Sequence, residues 1–227
     1  MCGRFAFFSP REAVLEYFAE EGLHIAGELT AEPSYNIAPG RDIAAIAGWP
    51  EPAFTEFHWG LVPKWAKDPS IGNRMINARA ETLREKPSFK APLRHGRCLL
   101  LADGYYEWQK TEDSKLPWFF AARDRHPMLL AGLMDTWRKG EQPLQTATII
   151  TTVASAEVAP VHHRMPIVLD PVSARLWLDT RTDEPTVDRL LQTQCDVIRW
   201  PVSRAVNNPA NDMPELLDDK AAGAGGD

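Results

Sequence analysis

Short apolar runs, separated by proline, glycine and charged residues, recur along most of this chain and set the expected elements. The opening Cys2-Gly3-Arg4-Phe5-Ala6-Phe7-Phe8 run reads as a strand. Ser9-Pro10-Arg11-Glu12 then reads as a helix start, with Ser9 as cap, Pro10 in the first turn and Glu12 closing a capping box. Val14, Tyr17 and Phe18 mark one buried face of that helix, and Gly22 stops it. Residues 32–40 are too rich in proline for a sheet interior and too apolar for a plain solvent loop. Strands are expected at Ile43 to Ala47 and Phe54 to Leu61. Ile76 to Thr82 reads as the entry to a short helix that Pro87 ends.

Arg97 to Ala102 reads as a buried strand, and Asp103-Gly104 as a turn pairing it with Tyr105 to Lys110 in a hairpin. Further strands are expected at Pro117 to Ala122, Met128 to Trp137, Thr146 to Val153, through Val161 to Leu169, and at Val197 to Ala205. Later helices are expected only at Pro171 to Leu178 and Glu184 to Gln194. Strands with inserted helices, and neither a βαβ rhythm nor an internal repeat, predict an α+β fold. A single domain over residues 1–218 is expected, with a small-residue tail over 219–227.

Composition narrows the class. The chain has 227 residues, 44% hydrophobic and 25% charged, as in a globular protein that folds around one core. No apolar run approaches a membrane span and no basic leader precedes an apolar stretch, so a cytoplasmic location is expected. Cys2, Cys98 and Cys195 are odd in number and far apart, which predicts neither a disulfide framework nor a zinc site. The net charge of -6 is uneven. Residues 58–110 carry ten Lys/Arg against five Asp/Glu, while both flanks are acidic. Such a segment is either a local anion-binding surface or a solvated face.

The chemistry-bearing residues are scattered. Loss of Met1 would leave Cys2 with an amine and a thiol on adjacent carbons. The amine, with an ordinary pKa of about 7.7 to 8.0, is neutral in on the order of a tenth of molecules at pH 7. It can form an imine with an aldehyde, and the sulfur can then close a thiazolidine ring; alternatively, Cys2 is simply part of a buried first strand. Glu107, among Tyr105, Tyr106 and Trp108, is either an acid/base with a raised pKa or a strand-edge glutamate. Asn77 reads as a helix cap or a polar ligand. His162 and His163, if on a strand, point to opposite faces, so only one can enter a site.

Six stretches together resemble a known family. Met1 to Phe5, Tyr35 to Pro39, Trp59 to Pro63, Ile76 to Thr82, Asp103 to Trp108 and His162 to Pro166 occur in the order found in the SOS-response-associated peptidase (SRAP) family of abasic-site processing proteins. The resemblance implies an α+β domain with mostly antiparallel sheets, a barrel-like core and short flanking helices. It implies a monomer that works without metal or other cofactor, away from membranes and on the nucleoid when bound. It would sense abasic sites in single-stranded DNA and link to the sugar aldehyde through Cys2. In that reading Glu107 is the general acid/base, His162 moves protons at the sugar hydroxyl, and Asn77 holds the sugar or the new ring. Arg4, Arg79 and Arg164 would hold DNA, and Pro39 and Trp65 would wedge or stack against bases. Two departures stand out: Ala66 follows Trp65 where some relatives have a second tryptophan, and His163 stands where some have an acidic residue. Lyase action is a possible side reaction. A cysteine (auto)peptidase using Cys2 and a noncovalent single-strand binder are the competing readings.

Overall fold

A computed structural model describes residues 2–19, 23–112 and 114–220. The expected helix stop at Gly22 and the tail from residue 221 onward lie outside the described residues. In chain order the elements are β1 (Phe5–Phe7), α1 (Arg11–Ala19), β2 (Ser34–Ile37), β3 (Asp42–Ala47), β4 (Ala53–Trp59), β5 (Asn77–Arg79), α2 (Pro87–His95) and β6 (Arg97–Ala102). They continue with β7 (Gly104–Lys110), β8 (Lys115–Ala122), β9 (Met128–Trp137), β10 (Leu144–Val153), β11 (Arg164–Pro166), β12 (Val168–Leu169), α3 (Pro171–Leu178), α4 (Glu184–Leu190) and β13 (Val197–Pro201).

The chain folds as an α+β domain built on two sheets. In the first, β10, β4, β3, β6 and β9 pair in succession, and β9 pairs back to β10. That closure makes a small five-stranded barrel with no free edge. Within the ring only β10 and β4 run parallel. β5 and β11 add to β10, and β12 adds to β9. The second sheet, in the order β13, β8, β7, β1, β2, is antiparallel throughout. All six residues of β6 are buried, as a strand walled in on both faces requires. The proline-rich segment supplies β2, which lies at the sheet's edge, where missing N–H donors do no harm.

The structure corrects several expected elements. β6 and β7 are not a hairpin: β6 pairs with β3 and β9, whereas β7 pairs with β1 and β8. Asp103 is the crossing point, its carboxylate accepting from the Phe8 and Ser9 amides at 2.6 and 2.7 Å and from the Ser9 hydroxyl. Ser9 is therefore engaged with Asp103, and α1 begins at Arg11 instead. Asn77 is in a strand, not at a helix entry, and Pro87 begins a helix rather than ending one. At the first helical position its fixed φ fits and its missing N–H is no loss. α2 then buries Phe89, Pro92 and Leu93. β4 stops at Trp59 because Gly60 turns at φ 138°, a conformation closed to residues with a side chain. β13 stops at Pro201, and Ser203 caps a 3-10 turn over Arg204–Asn207.

Arg97, one of the cations of the basic segment, is structural. Its guanidinium donates to the carbonyls of Leu93, Trp177 and Asp179, tying the ends of α2 and α3 to the start of β6. Gly104 carries the tightest packing constraint at the crossing. A Cβ there would lie 2.3 Å from Phe119 Cζ and 2.4 Å from the Phe120 carbonyl oxygen. Gly104→Ala is expected to destabilise the fold by about 1–3 kcal/mol through overpacking, read as a lower urea midpoint at unchanged slope. An unchanged midpoint would show that the crossing can relax.

Candidate active site

The site forms where the ends of β1 and β7 meet the barrel edge built from β5, β10 and β11. In the β1–β7 ladder Phe5 lies opposite Tyr105 and Ala6 opposite Gly104, so the register continues to set Gly3 opposite Glu107. The Tyr106 amide donates to the Arg4 carbonyl at 2.9 Å, which holds that extension in place. Alternation puts Phe5, Tyr105 and Glu107 on the face turned to the barrel, and Ala6 and Tyr106 on the other. Cys2 is buried against the barrel core.

From the barrel side, β5 runs parallel to β10 with Asn77 beside Ile149. The Asn77 side-chain amide donates to the Cys2 carbonyl at 2.7 Å. Trp59 fixes the approach to β5: its indole N–H donates to the Ile76 carbonyl at 2.9 Å, and its ring meets Phe5 edge-on at 5.0 Å. His162 sits in a turn before β11, its amide donating to the Val158 carbonyl. Its Nδ1 lies 3.1 Å from the Arg164 amide, 3.2 Å from the Arg164 carbonyl and 3.7 Å from Glu107 Oε1, with the tautomer deciding whether it accepts from the amide or donates to the carbonyl. Cys2, Asn77, Glu107 and His162, separated by up to 160 positions in sequence, therefore converge.

Burial decides their protonation. Glu107 is 3% exposed, and loss of water pushes its carboxyl above the usual carboxylate range. Burial also holds His162 below the ordinary imidazole value. The Cys2 thiol is pushed well up, first by burial and then by the neighbouring Glu107 charge. The set thus comprises a carboxyl whose protonated form burial favours, an imidazole biased to its neutral form and a thiol rather than a thiolate.

The residues expected to hold DNA divide into two groups. Arg79 is exposed, Pro39 is exposed on the loop after β2, and Trp65 is 51% exposed. Arg4 and Arg164 have internal partners. Arg4 donates to Asn36 Oδ1 at 2.7 Å and to the Val206 carbonyl at 2.8 Å. Arg164, 7% exposed, forms a bidentate pair with Glu81 at 2.6 and 2.9 Å and donates to the Thr151 carbonyl. Ala66 faces inward at 2% exposure, and its carbonyl accepts from the Trp137 indole. A second tryptophan side chain has no room in that inward position. His163 is exposed, with its ring 4.4 Å from that of His162 and close enough for its charge to favour the ionised Glu107.

The C-terminal strap was not marked in the sequence. Asn36, 1% exposed, donates to the Asn208 and Asn211 carbonyls at 3.1 and 2.6 Å, and Asp212 accepts from the Ser34 hydroxyl at 2.7 Å. The Trp108 indole donates to Asn207 Oδ1 at 2.7 Å. The asparagine cluster over 207–211 was the available signal: such residues tie turns through their side chains.

The SOS response associated peptidase (SRAP) family model matches residues 1–209. The chain is 39% identical over 224 residues to the abasic site processing protein YoqW of Bacillus subtilis (strain 168), covering 96% of this chain and 99% of that one. It is 33% identical over 227 residues to the abasic site processing protein YedK of Escherichia coli (strain K12), covering 96% and 99%. It is 37% identical over 221 residues to the abasic site processing protein HMCES of Gallus gallus, covering 82% and 66%. Among solved structures, a protein from Bacteroides thetaiotaomicron superposes with a TM-score of 0.82 at 22% identity, covering 96% and 99%. A phage-related protein from Bordetella bronchiseptica does so with 0.71 at 29%, covering 89% and 95%.

The buried carboxyl makes a stability prediction. A carboxyl whose folded pKa is raised costs stability once pH passes its unfolded value, about 4.3 for glutamate, and the cost grows until the folded value is reached. Glu107→Gln has no charge to bury. Its Tm relative to the parent should therefore rise between pH 4 and pH 8, and a pH-independent difference would contradict the raised carboxyl.

Proposed function

Because the chain belongs to the SOS response associated peptidase (SRAP) family, we propose that it processes abasic sites in single-stranded DNA by linking itself to the lesion through Cys2. The observation that carries this reading is the meeting of Cys2 with a buried carboxyl of raised pKa and an imidazole of lowered pKa at one seam. Once Met1 is removed, the Cys2 amine attacks the aldehyde of the ring-opened sugar. Water leaves as the imine forms. The sulfur then adds to the imine carbon while its proton passes to the nitrogen, which gives a thiazolidine.

Each neighbour has a task in that sequence. Glu107 donates a proton to the departing oxygen and takes one back on reversal. His162, beside Glu107, accepts the proton of the sugar hydroxyl at Nε2 when the ring opens, in the tautomer whose Nδ1–H donates to the Arg164 carbonyl. Asn77, through its bond to the Cys2 carbonyl, fixes the backbone of the reacting residue. This leaves the reacting nitrogen and sulfur outside the Asn77 contact. Imine-stage strand cleavage, a lyase reaction, is open to the same intermediate.

A peptidase reading needs a thiolate. Burial beside Glu107 disfavours one, and the environment therefore supports amine-first chemistry over an activated sulfur nucleophile. Arg79, Trp65 and the Pro39 loop are the exposed groups available to the flanking strand.

Intact mass after incubation with an oligonucleotide carrying one abasic site tests the proposal. The parent should lose Met1 and form a stable adduct, and Cys2→Ala should form none. Glu107→Gln should slow adduct formation by about 10²–10⁴-fold, the usual contribution of a positioned acid. An adduct that persists in Cys2→Ala would place the chemistry elsewhere.

A further inference from the structure

The face of the second sheet that carries Glu107 continues beyond it. Glu107 in β7 lies directly opposite Trp118 in β8, and Trp118 opposite Pro201 in β13. Side chains directly opposite in an antiparallel pair stand about 4.5–5.5 Å apart at Cβ. Trp118 is therefore the immediate neighbour of Glu107 on the side away from Cys2. It is half-buried, and its indole donates to Gln109 Oε1 at 3.2 Å. The Gln109 amide in turn donates to the Pro160 carbonyl at 3.1 Å, which ties Trp118 to the turn that carries His162.

Arg199, two residues before Pro201 and so on the same face, lays its guanidinium over the Trp118 ring at 4.6 Å. Arg125 shares this arrangement, over Trp200 at 4.8 Å, but several other arginines are held by acids. Arg84, Arg123, Arg164 and Arg181 each pair with a carboxylate. Among the described residues, Arg199 has no carboxylate partner. A cation held over an aromatic face has already lost much of its freedom, while the ring does not use the N–H edge of its fork. Such an edge fits the oxygens of a phosphodiester.

The other end of this row is also defined. Pro39 lies in the turn two residues past Ile37, the β2 partner of Phe5. Gly3, Glu107, Trp118 and Pro201 then form one line across four strands, with the Pro39 turn beyond its β1 end. A DNA strand with its lesion at Cys2 has the exposed Pro39 loop on one side and Arg199 on the other.

We propose that Arg199, stacked on Trp118, is a phosphate-binding subsite for the single strand flanking the lesion. This inference rests on the DNA reading above but not on the covalent step. The guanidinium takes one phosphodiester charge, and Trp118 sets its plane. Because the subsite neighbours Glu107 without reaching Cys2, it acts on strand binding and not on bond formation.

The test is the salt dependence of binding to an undamaged single-stranded oligonucleotide, with adduct formation measured separately on the abasic one. Each phosphate neutralised on a single strand adds about 0.7 to the slope of log affinity against log salt. Arg199→Ala should lower the slope by about that amount, while the adduct rate at saturating abasic oligonucleotide stays at the parental value. Arg199→Lys should keep the slope but bind more weakly, because the charge remains without the stacked fork. Arg199→Gln, which keeps the length and a polar end, should match the alanine variant and so exclude a folding defect. An unchanged slope in Arg199→Ala, or a slower adduct at saturation with the slope intact, overturns the subsite. If the parent forms no Cys2 adduct yet Arg199→Ala still loses slope, the covalent reading fails and the subsite stands. A parent that binds no single strand removes both.

Discussion

Withdrawal of one carboxyl group from water is the constraint on which the site depends. Glu107 is buried on β7 on the same face as Tyr105, and burial there makes its charged form costly. The same enclosure holds the neighbouring imidazole neutral and the Cys2 thiol protonated. Three groups that titrate in water are thus each biased toward the neutral form. That bias suits a reaction in which protons are exchanged and water is expelled.

The enclosure is a product of topology. A closed five-stranded barrel has no edge of its own to offer, so the candidate site forms where extra strands meet a second sheet. β5 brings Asn77 along β10, the turn before β11 brings His162, and β1 with β7 brings Cys2 and Glu107 from the other sheet. Asp103 makes this possible by carrying the chain from barrel to sheet while capping the amides of Phe8 and Ser9. Both reactive halves are therefore fixed to rigid elements, and their meeting is set by sheet register rather than by loop position.

Much of this was legible in the sequence, for identifiable reasons. Long apolar runs such as Met128 to Trp137 fixed their own strand type, because length and burial leave few alternatives. The partner of each strand was less accessible. Arg97 to Ala102 followed by Asp103-Gly104 has the local pattern of a hairpin, and only Asp103's bonds to residues 94 and 95 positions away reveal the crossing. Pro87 carried the opposite ambiguity, since proline both ends helices and begins them. At the site, residue types marked Cys2, Glu107 and His162 as chemically capable, but the internal bonding of Arg4 and Arg164 was invisible. An arginine facing Glu81 and one facing solvent read alike in sequence.

The strap that closes over β2 also sets an order in time. Arg4 takes its position from the Val206 carbonyl, 202 residues later, and Asn36 from carbonyls still further on. During synthesis the chain's beginning therefore emerges long before the residues that fix it, and such distant closures form late because of the entropy of the intervening loop. The native seam around Cys2 is completed only when residues 206–212 have left the ribosome. A nascent chain that has not reached those residues is thus without the finished seam.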